Sequence, residues 1–159
     1  MITFRQIQKA DNLQMARVIR TVLEEFKVNQ PGTVYTDPTT DCLYELFQLE
    51  GSIYWVAEKN GQPIGGCGIY PTIGLPKQYA ELVKLYILSE FRGLGIGKGL
   101  IRKSIESAKE MGFKYLYLES LPELNSAIEL YQKIGFKVID KRLGESGHFA
   151  CNLWMEMNI

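Results

Sequence analysis

The chain has 159 residues, 46% of them hydrophobic, which is enough apolar sequence to fill the core of one domain. A folded chain of this size buries roughly 70% of the surface that its unfolded form exposes, so its stability requires neither disulfides nor a metal. Its 18 Lys and Arg residues balance 18 Asp and Glu residues, and zero net charge disfavours binding to a nucleic-acid backbone. We therefore expect residues 1–159 to form one domain that binds no nucleic acid.

The cysteines and the apolar segments predict the compartment. Cys42, Cys67 and Cys151 are an odd number at wide spacings, which disfavours a secreted disulfide framework. The one histidine, His148, leaves His148-x-x-Cys151 as the only conceivable ligand pair, so we expect no metal site. The amino terminus has no signal-peptide pattern, and no segment approaches the ~20 apolar residues of a membrane span. We expect a cytoplasmic protein that does not cross a membrane.

The amino-terminal part alternates between strand and helix patterns. Residues 2–8 alternate as a short strand, and Asp11 with Gln14 resembles a capping box, which predicts a helix that starts there. Apolar residues then recur at helical steps over about four turns, at Leu13, Ala16, Ile19, Leu23 and Phe26. After a break at residues 29–32, a shorter helix is predicted over residues 40–49.

From residue 53 onward the pattern indicates strands. Residues 53–57 and 64–70 flank Asn60-Gly61, which predicts a hairpin. Residues 80–88 form a third strand of an antiparallel sheet, and a glycine-rich loop then leads into a helix over residues 95–111. The remaining elements are a strand, a helix and two strands, over residues 114–119, 125–134, 136–142 and 148–157.

The glycine-rich loop, Arg92-Gly93-Leu94-Gly95-Ile96-Gly97-Lys98-Gly99, carries the most specific chemistry. Unpaired N–H groups and the helix dipole make such a strand-to-helix junction an anion site, and a simple tight turn would need one glycine rather than four. A Walker A loop is excluded because three residues rather than four separate Gly93 from Gly97. A dinucleotide loop is excluded because Lys98 and Leu100 stand where its third glycine would be. We predict a phosphate-binding loop of another kind.

The pattern Arg-x-x-Gly-x-Gly from Arg92 to Gly97 resembles the GNAT superfamily of acetyl-CoA-dependent N-acetyltransferases. The preceding segment, Leu85-Tyr86-Ile87-Leu88-Ser89-Glu90-Phe91, is also similar to the family, with Ser89 where proline is frequent. The segment Asn125-x-Ala127-x3-Tyr131-x3-Gly135-Phe136 resembles its second signature. The clear resemblance covers residues 80–137.

This resemblance implies an α+β fold in three layers, with a mixed, mostly antiparallel central sheet, helices on both faces and a splayed pair of central strands. The strands at 80–88 and 114–119 would separate after about residue 86, and the pantetheine of acetyl-CoA would lie in the gap. Main-chain groups near Leu85 and Ile87 would pair with pantetheine, and amides of the glycine-rich loop would bind the pyrophosphate. The implied cofactor residues are Leu85, Ile87, Arg92, Gly93, Leu94, Gly95, Ile96, Gly97, Lys98, Asn125 and Tyr131.

Acetyl transfer to an amine requires a base, stabilisation of the carbonyl oxygen and a proton for the departing thiolate. Glu81, 11 residues before Arg92, matches the general-base glutamate of some family members. Strand alternation predicts that Glu81 shares a face with Val83 and Leu85. The resemblance implies that the Leu85 N–H polarises the thioester carbonyl and that Tyr131 protonates the thiolate or bonds the sulfur.

Each assignment has a structural alternative. Glu81 is also explained as a paired or solvated strand carboxylate, with a water chain as the base. Tyr131, between Ile128 and Ile134 on a helical stripe, is also explained as a buried aromatic. Asn125 also suits a helix cap. For the whole chain, the alternatives are a non-catalytic acyl-CoA-binding or sensor module and an interaction domain without a ligand.

The acceptor side has weaker signals, in residues 29–41 and 143–151. The candidate acceptor-site residues are Tyr35, Asp37 and His148, and an imidazole is suited to receive the proton of an amine. Asp41 and Glu145 add acidic charge that would attract a protonated amine, whereas Cys151 alternates with Leu153 and Met155 on a predicted core face. We predict an N-acetyltransferase that transfers acetyl from acetyl-CoA to a primary amine of a small molecule or peptide by direct attack in a ternary complex. The sequence leaves a homodimer open.

Overall fold

The computed structural model describes residues 1–159. Its seven strands are β1 (Ile2–Gln6), β2 (Ile53–Lys59), β3 (Gln62–Tyr70), β4 (Tyr79–Ile87), β5 (Tyr115–Ser120), β6 (Lys137–Ile139) and β7 (Leu153–Asn158). They form one sheet in the order β1-β2-β3-β4-β5-β7-β6. Only β4 and β5 are parallel, and every other neighbouring pair is antiparallel. The predicted mixed, mostly antiparallel sheet is confirmed.

Helices cover both faces of this sheet, as predicted. They are α1 (Asn12–Glu25), α2 (Leu43–Leu46), α3 (Ile96–Glu110) and α4 (Asn125–Ile134). The buried face of α1 consists of Met15, Val18, Ile19, Val22 and Leu23. Of the stripe predicted for this helix, Leu13 is instead 65% exposed. The stripe of α3 is buried on the opposite face, through Ile96, Leu100, Ile101 and Ala108. No helix combines the length and the apolar character that crossing a bilayer requires.

Two predictions near α1 and α2 need correction. The carboxylate of Asp11 does not cap α1, because it accepts the Gln8 N–H at 2.7 Å and pairs with Arg5 at 2.7 Å. The helix predicted over residues 40–49 is a 3₁₀ turn at Pro38–Cys42 followed by the single turn of α2. Asp37 accepts the Thr39 N–H at 2.9 Å, and this N-cap favours the 3₁₀ turn at the start of the segment.

The β2–β3 connection confirms the predicted hairpin. Asn60 and Gly61 have φ of +51° and +77°, the two positive values that a type I′ turn requires. At the other end of the chain, the strands predicted over residues 136–142 and 148–157 are shorter than expected. Residues 140–152 form a connection instead, because Arg142 donates to the Cys151 carbonyl at 2.9 Å and the Ala150 N–H donates to the Gly32 carbonyl at 3.0 Å.

A β-bulge in the middle of β4 determines the shape of the site. Gly68 of β3 pairs with Val83 and Gly66 pairs with Tyr86, so Lys84 and Leu85 together oppose one residue of β3. Lys84 has φ of +54°, a left-handed conformation that is uncommon outside glycine. The extra residue turns Leu85 to the α3 face, whereas Val83 packs on the α1 face. The predicted common face for these two residues is therefore wrong.

The predicted splay of β4 and β5 begins earlier than expected. Their parallel pairing consists of Tyr79 with Tyr115, Ala80 with Leu116, and Glu81 with Tyr117. The strands separate after Glu81 rather than after residue 86. The bulge that follows Glu81 explains this difference, because a bulge bends its strand and increases the local twist.

Candidate active site

The gap between β4 and β5 opens into a cavity of about 380 Å³. One wall is β4 over residues 81–87, and the opposite wall is the end of β5 with the residues after it, 119–121. The start of α3 closes one end, and α4 contributes Tyr131. The structure therefore places the three predicted catalytic residues, Glu81, Leu85 and Tyr131, on the wall of one cavity.

The end of the cavity formed by α3 suits an anion. Gly93 and Gly95 have φ of +75° and +79°, and a Cβ on either would meet no atom within 4 Å. The backbone angle rather than crowding therefore requires glycine. Gly99 is the first residue of α3 whose N–H bonds within the helix, to the Gly95 carbonyl at 3.0 Å, and no side chain caps the helix. The N–H groups before Gly99 remain available for phosphate oxygens.

Most of the predicted cofactor residues line this cavity, namely Leu85, Ile87, Arg92, Gly93, Gly95, Ile96, Gly97, Lys98 and Tyr131. Two do not. Leu94 is 64% exposed and lies outside the cavity wall. Asn125 is exposed, and its Oδ1 accepts the N–H of the adjacent Ser126 at 2.9 Å. The N-cap position of α4 is Leu124 and no side chain caps the helix, so the structure does not show the capping alternative for Asn125 either.

The side chain of Arg92 is bound within the protein. Its two terminal nitrogens donate to Glu25 at 2.7 and 2.8 Å, and its Nε donates to the Ile87 carbonyl at 2.9 Å. The guanidinium also lies over the Phe26 ring, 5.1 Å from its centroid. Arg92 therefore anchors the glycine-rich loop to α1. The Ile87 carbonyl retains one lone pair for a pantetheine amide.

Glu81 is a buried carboxyl group at the last paired position of β4 and β5. Its Oε1 accepts the Thr72 hydroxyl at 2.6 Å. Burial raises the pKa of Glu81 to about 7, against the opposing effect of the Thr72 hydrogen bond. A carboxyl group that titrates near neutral pH is suited to general-base work, because both of its protonation states are populated.

Tyr131 is buried among the residues packed on the α3 face, and its ring meets Phe136 edge-on at 5.8 Å between centroids. Burial raises the pKa of Tyr131 well above the usual tyrosine value, so its hydroxyl stays protonated at neutral pH. Buried Tyr54 and Tyr117 donate their hydroxyls to the Lys84 carbonyl and to Glu119. The Tyr131 hydroxyl has no protein partner and lies at the cavity, which makes it available to a ligand.

Of the three predicted acceptor residues, only His148 lines the cavity, and Asp37 lies behind it as its hydrogen-bond partner. The His148 Nε2 lies 2.8 Å from Asp37 Oδ2. The hydrogen bond from His148 holds the pKa of Asp37 well below its usual range. Tyr35 and Asp41 do not line the cavity, because they bond side chains of α1 at 2.5 and 2.6 Å. Glu145 is exposed and also lies outside the wall.

A family model described as the acetyltransferase (GNAT) family matches residues 19–136. The chain belongs to the acetyltransferase (GNAT) family. The predicted family and the predicted acetyltransferase class, with acetyl-CoA as co-substrate, are confirmed.

Relatives and solved structures agree with this GNAT assignment. The chain is 41% identical to the uncharacterized N-acetyltransferase YjgM of Escherichia coli (strain K12), over 95% of this chain and 91% of that protein. It is 32% identical to human N-acetyltransferase 8 over 70% of this chain, and spans about half (52%) of that protein. A GNAT acetyltransferase from Staphylococcus aureus MU50 has a TM-score of 0.87 at 22% identity, with 99% of each chain covered. The structure of YncA of Salmonella typhimurium with its cofactor acetyl-CoA has a TM-score of 0.75 at 21% identity, and the match covers 99% of this chain and 94% of that chain.

The GNAT cavity also contains residues that sequence reasoning missed. Glu119 accepts the Tyr117 hydroxyl at 2.7 Å and the Ser146 hydroxyl, and lies 3.3 Å from Arg142. Lys84 lines the wall from the bulge. Cys151 also lines it, because β7 begins only at Leu153 and the predicted alternation does not reach back to residue 151. Of these residues, only Lys84 had a sequence signal, as a charge in the middle of an apolar strand.

Proposed function

We propose that the chain transfers an acetyl group from acetyl-CoA to a primary amine of a small molecule or peptide, by direct attack in a ternary complex. The observation that carries this proposal is one cavity with an anion-binding helix start at one end and Glu81 and Tyr131 on its walls. Acetyl-CoA supplies a thioester carbonyl as the electrophile and a thiolate as the leaving group.

Two side chains carry the proton transfers, and the backbone stabilises the carbonyl oxygen. Glu81 accepts the proton that the amine loses as its nitrogen bonds to the carbonyl carbon. The Leu85 N–H donates to the carbonyl oxygen as negative charge develops there. Tyr131 donates its proton to sulfur as the C–S bond breaks. One C–N bond forms, one C–S bond breaks, and the net proton movement is from nitrogen to sulfur.

A thiol-release assay with acetyl-CoA and a panel of primary amines tests this function, combined with calorimetry of acetyl-CoA binding. We expect binding and an amine-dependent release of thiol, with the acetylated amine detected by mass spectrometry. Binding without release for any amine would support the sensor module. Absence of acetyl-CoA binding would remove the proposed function altogether.

We propose the cytoplasm as the compartment. All three cysteines, Cys42, Cys67 and Cys151, are free thiols, and this state suits a reducing environment. Burial raises the pKa values of Cys67 and Cys151 to about 12, which keeps both as unreactive thiols. A cysteine-specific reagent applied to native protein should therefore label Cys42 first.

The substitution Gly95→Glu is expected to weaken acetyl-CoA binding at least about tenfold, or ~1.4 kcal/mol. The new carboxylate would stand where the pyrophosphate binds, at the start of α3. Gly112→Glu is the matched control, because Gly112 has φ of +87° and similarly open space but lies at the other end of α3. Calorimetry on both variants checks the prediction, and equal affinities would contradict the phosphate site.

A further inference from the structure

Lys84 is a buried lysine without a partner in the protein. It is 9% exposed, lies at the bulge of β4 and lines the cavity. Its ammonium makes no hydrogen bond and has no carboxylate within 4.0 Å. Among the other cationic side chains on the cavity wall, Arg92 is paired with Glu25. Lys98, the other lysine on the wall, is exposed to solvent.

Lys84 lines the same cavity as Glu81 and His148. The two charged groups that act on it are Asp37 and Glu81, both away from the phosphate loop. Neither carboxylate bonds the Lys84 ammonium. Asp37 lies 2.8 Å from His148 instead, and Glu81 accepts the Thr72 hydroxyl at 2.6 Å. A cation therefore stands beside the proposed base with its hydrogen-bond donors unused.

Burial of this cation is costly without a paired anion. Desolvation lowers the pKa of Lys84, while Asp37 and Glu81 oppose that effect from a distance. A buried charge is stabilised by an anion in direct contact that accepts its hydrogen bonds. Since the protein supplies none, the bound acceptor is the remaining source.

We propose that the acceptor is an amino acid whose carboxylate pairs with Lys84 while its amine faces Glu81. This inference rests on the proposed acetyl transfer and narrows its acceptor class to molecules that carry the amine and the carboxylate close together. Glu81 and Lys84 are three residues apart on β4, about 10 Å at extended spacing, and both line the cavity. A zwitterion then places each of its charges against the opposite charge of the wall.

The charges around Lys84 favour a carboxylate over other ligands. Glu81, Glu119 and Lys84 line this cavity, while Arg142 lies against Glu119 and His148 against Asp37. A phosphate dianion would therefore meet two lining carboxyl groups and one unpaired lysine. A simple amine or a polyamine would bring further positive charge beside Lys84 without an anion to balance it. The single carboxylate of an amino acid neutralises the Lys84 ammonium, and the amine of the same molecule remains free to interact with Glu81.

Matched pairs of acceptors test this proposal, each an amino acid and the same molecule without its carboxylate. The pairs are L-leucine with 3-methylbutylamine, L-phenylalanine with 2-phenylethylamine, L-methionine with 3-methylthiopropylamine, and L-lysine with 1,5-diaminopentane. For the wild type we expect kcat/KM at least tenfold higher for the amino acid of an accepted pair. We expect Lys84→Met to remove that preference by raising KM for the amino acid, and Lys84→Arg to restore part of it.

Calorimetry shows whether each variant still binds acetyl-CoA and is therefore folded. If Lys84→Met does not fold, the comparison of each amino acid with its matched amine in the wild type decides the proposal. Equal or better use of the amines without a carboxylate, or an unchanged preference in a folded Lys84→Met, would overturn the proposal. Turnover of simple amines only would reject the amino acid and leave acetyl transfer intact. No thiol release with any acceptor would instead remove the proposed function, and this inference with it.

Discussion

Replacement of Glu81 by glutamine is expected to lower kcat/KM about 10³-fold at pH 8, with little change in acetyl-CoA affinity. Glutamine keeps the shape of the side chain and an oxygen for the Thr72 hydroxyl, but it accepts no proton from the amine. General-base contributions lie at ~10²–10⁴-fold. Steady-state thiol release with an accepted amine measures the loss, and calorimetry measures the affinity.

The pH profile identifies the base more sharply than the rate alone. The pKa of Glu81 is raised to about 7, so the fraction of charged base increases roughly tenfold between pH 6 and pH 8. The amine's own titration raises the rate in both proteins, so the ratio of wild type to Glu81→Gln is the decisive quantity. We expect this ratio to rise with pH. A constant ratio, or an equal loss in Glu156→Gln, whose carboxylate bonds Tyr79 outside the cavity, would rule out Glu81 as the base.

The substitution Glu81→Gln, which lowers activity, is expected to raise the stability of the folded protein above neutral pH. The pKa of Glu81 is near 4.5 when it is unperturbed and about 7 in the fold. Between these values the folded state binds more protons than the unfolded state, so stability falls as pH rises through this window. The penalty is complete above pH 7 and is ~3 kcal/mol at most. Thermal unfolding should therefore show Glu81→Gln gaining stability relative to wild type at pH 8 but not at pH 4.5.

Tyr131→Phe is expected to reduce kcat about 10²-fold while acetyl-CoA affinity changes little. The ring and its contact with Phe136 remain, and only the unpartnered hydroxyl is lost. Because burial raises the pKa of Tyr131, the wild-type hydroxyl carries its proton throughout the working pH range. The loss should therefore be similar at pH 6 and pH 8, unlike that of Glu81→Gln.

Tyr79→Phe controls for the loss of a tyrosine hydroxyl. The Tyr79 hydroxyl donates to Glu156 at 2.9 Å outside the cavity, so this variant should keep wild-type turnover. A Tyr131→Phe enzyme as fast as the Tyr79→Phe control would show that Tyr131 only packs. The buried-aromatic alternative for Tyr131 would then be the correct one.

Local sequence rules predicted the parts of the molecule that depend on neighbouring residues. The hairpin at Asn60-Gly61 depends on two positive φ angles, and the phosphate loop depends on glycines at the start of a helix. Both features could be predicted from the sequence, because the residue types indicate the backbone conformations that each feature requires. The helix over residues 125–134 was likewise predicted at its observed bounds.

Contacts between distant segments could not be predicted in this way. The pairing of Asp37 with His148 joins residues 111 positions apart, and no local pattern signals it. The bulge at Lys84 is a mismatch of register between β3 and β4, so a strict alternation of faces assigned Leu85 to the wrong one. Cys151 is buried as predicted, but it packs in the cluster on the α1 face rather than with Leu153 and Met155, because the loop that returns to the cavity resembled an extended strand.

The short pairing of β4 with β5 divides the sheet into two half-sheets. Strands β1 to β4 form one half, and β5, β7 and β6 form the other, joined along the sheet by three residue pairs and the stacked rings of Tyr79 and Tyr115. A ligand in the gap contacts both halves where a continuous sheet would have inter-strand hydrogen bonds. We therefore expect binding of the co-substrate in this gap to connect the two half-sheets across the middle of the protein and so to stiffen the sheet.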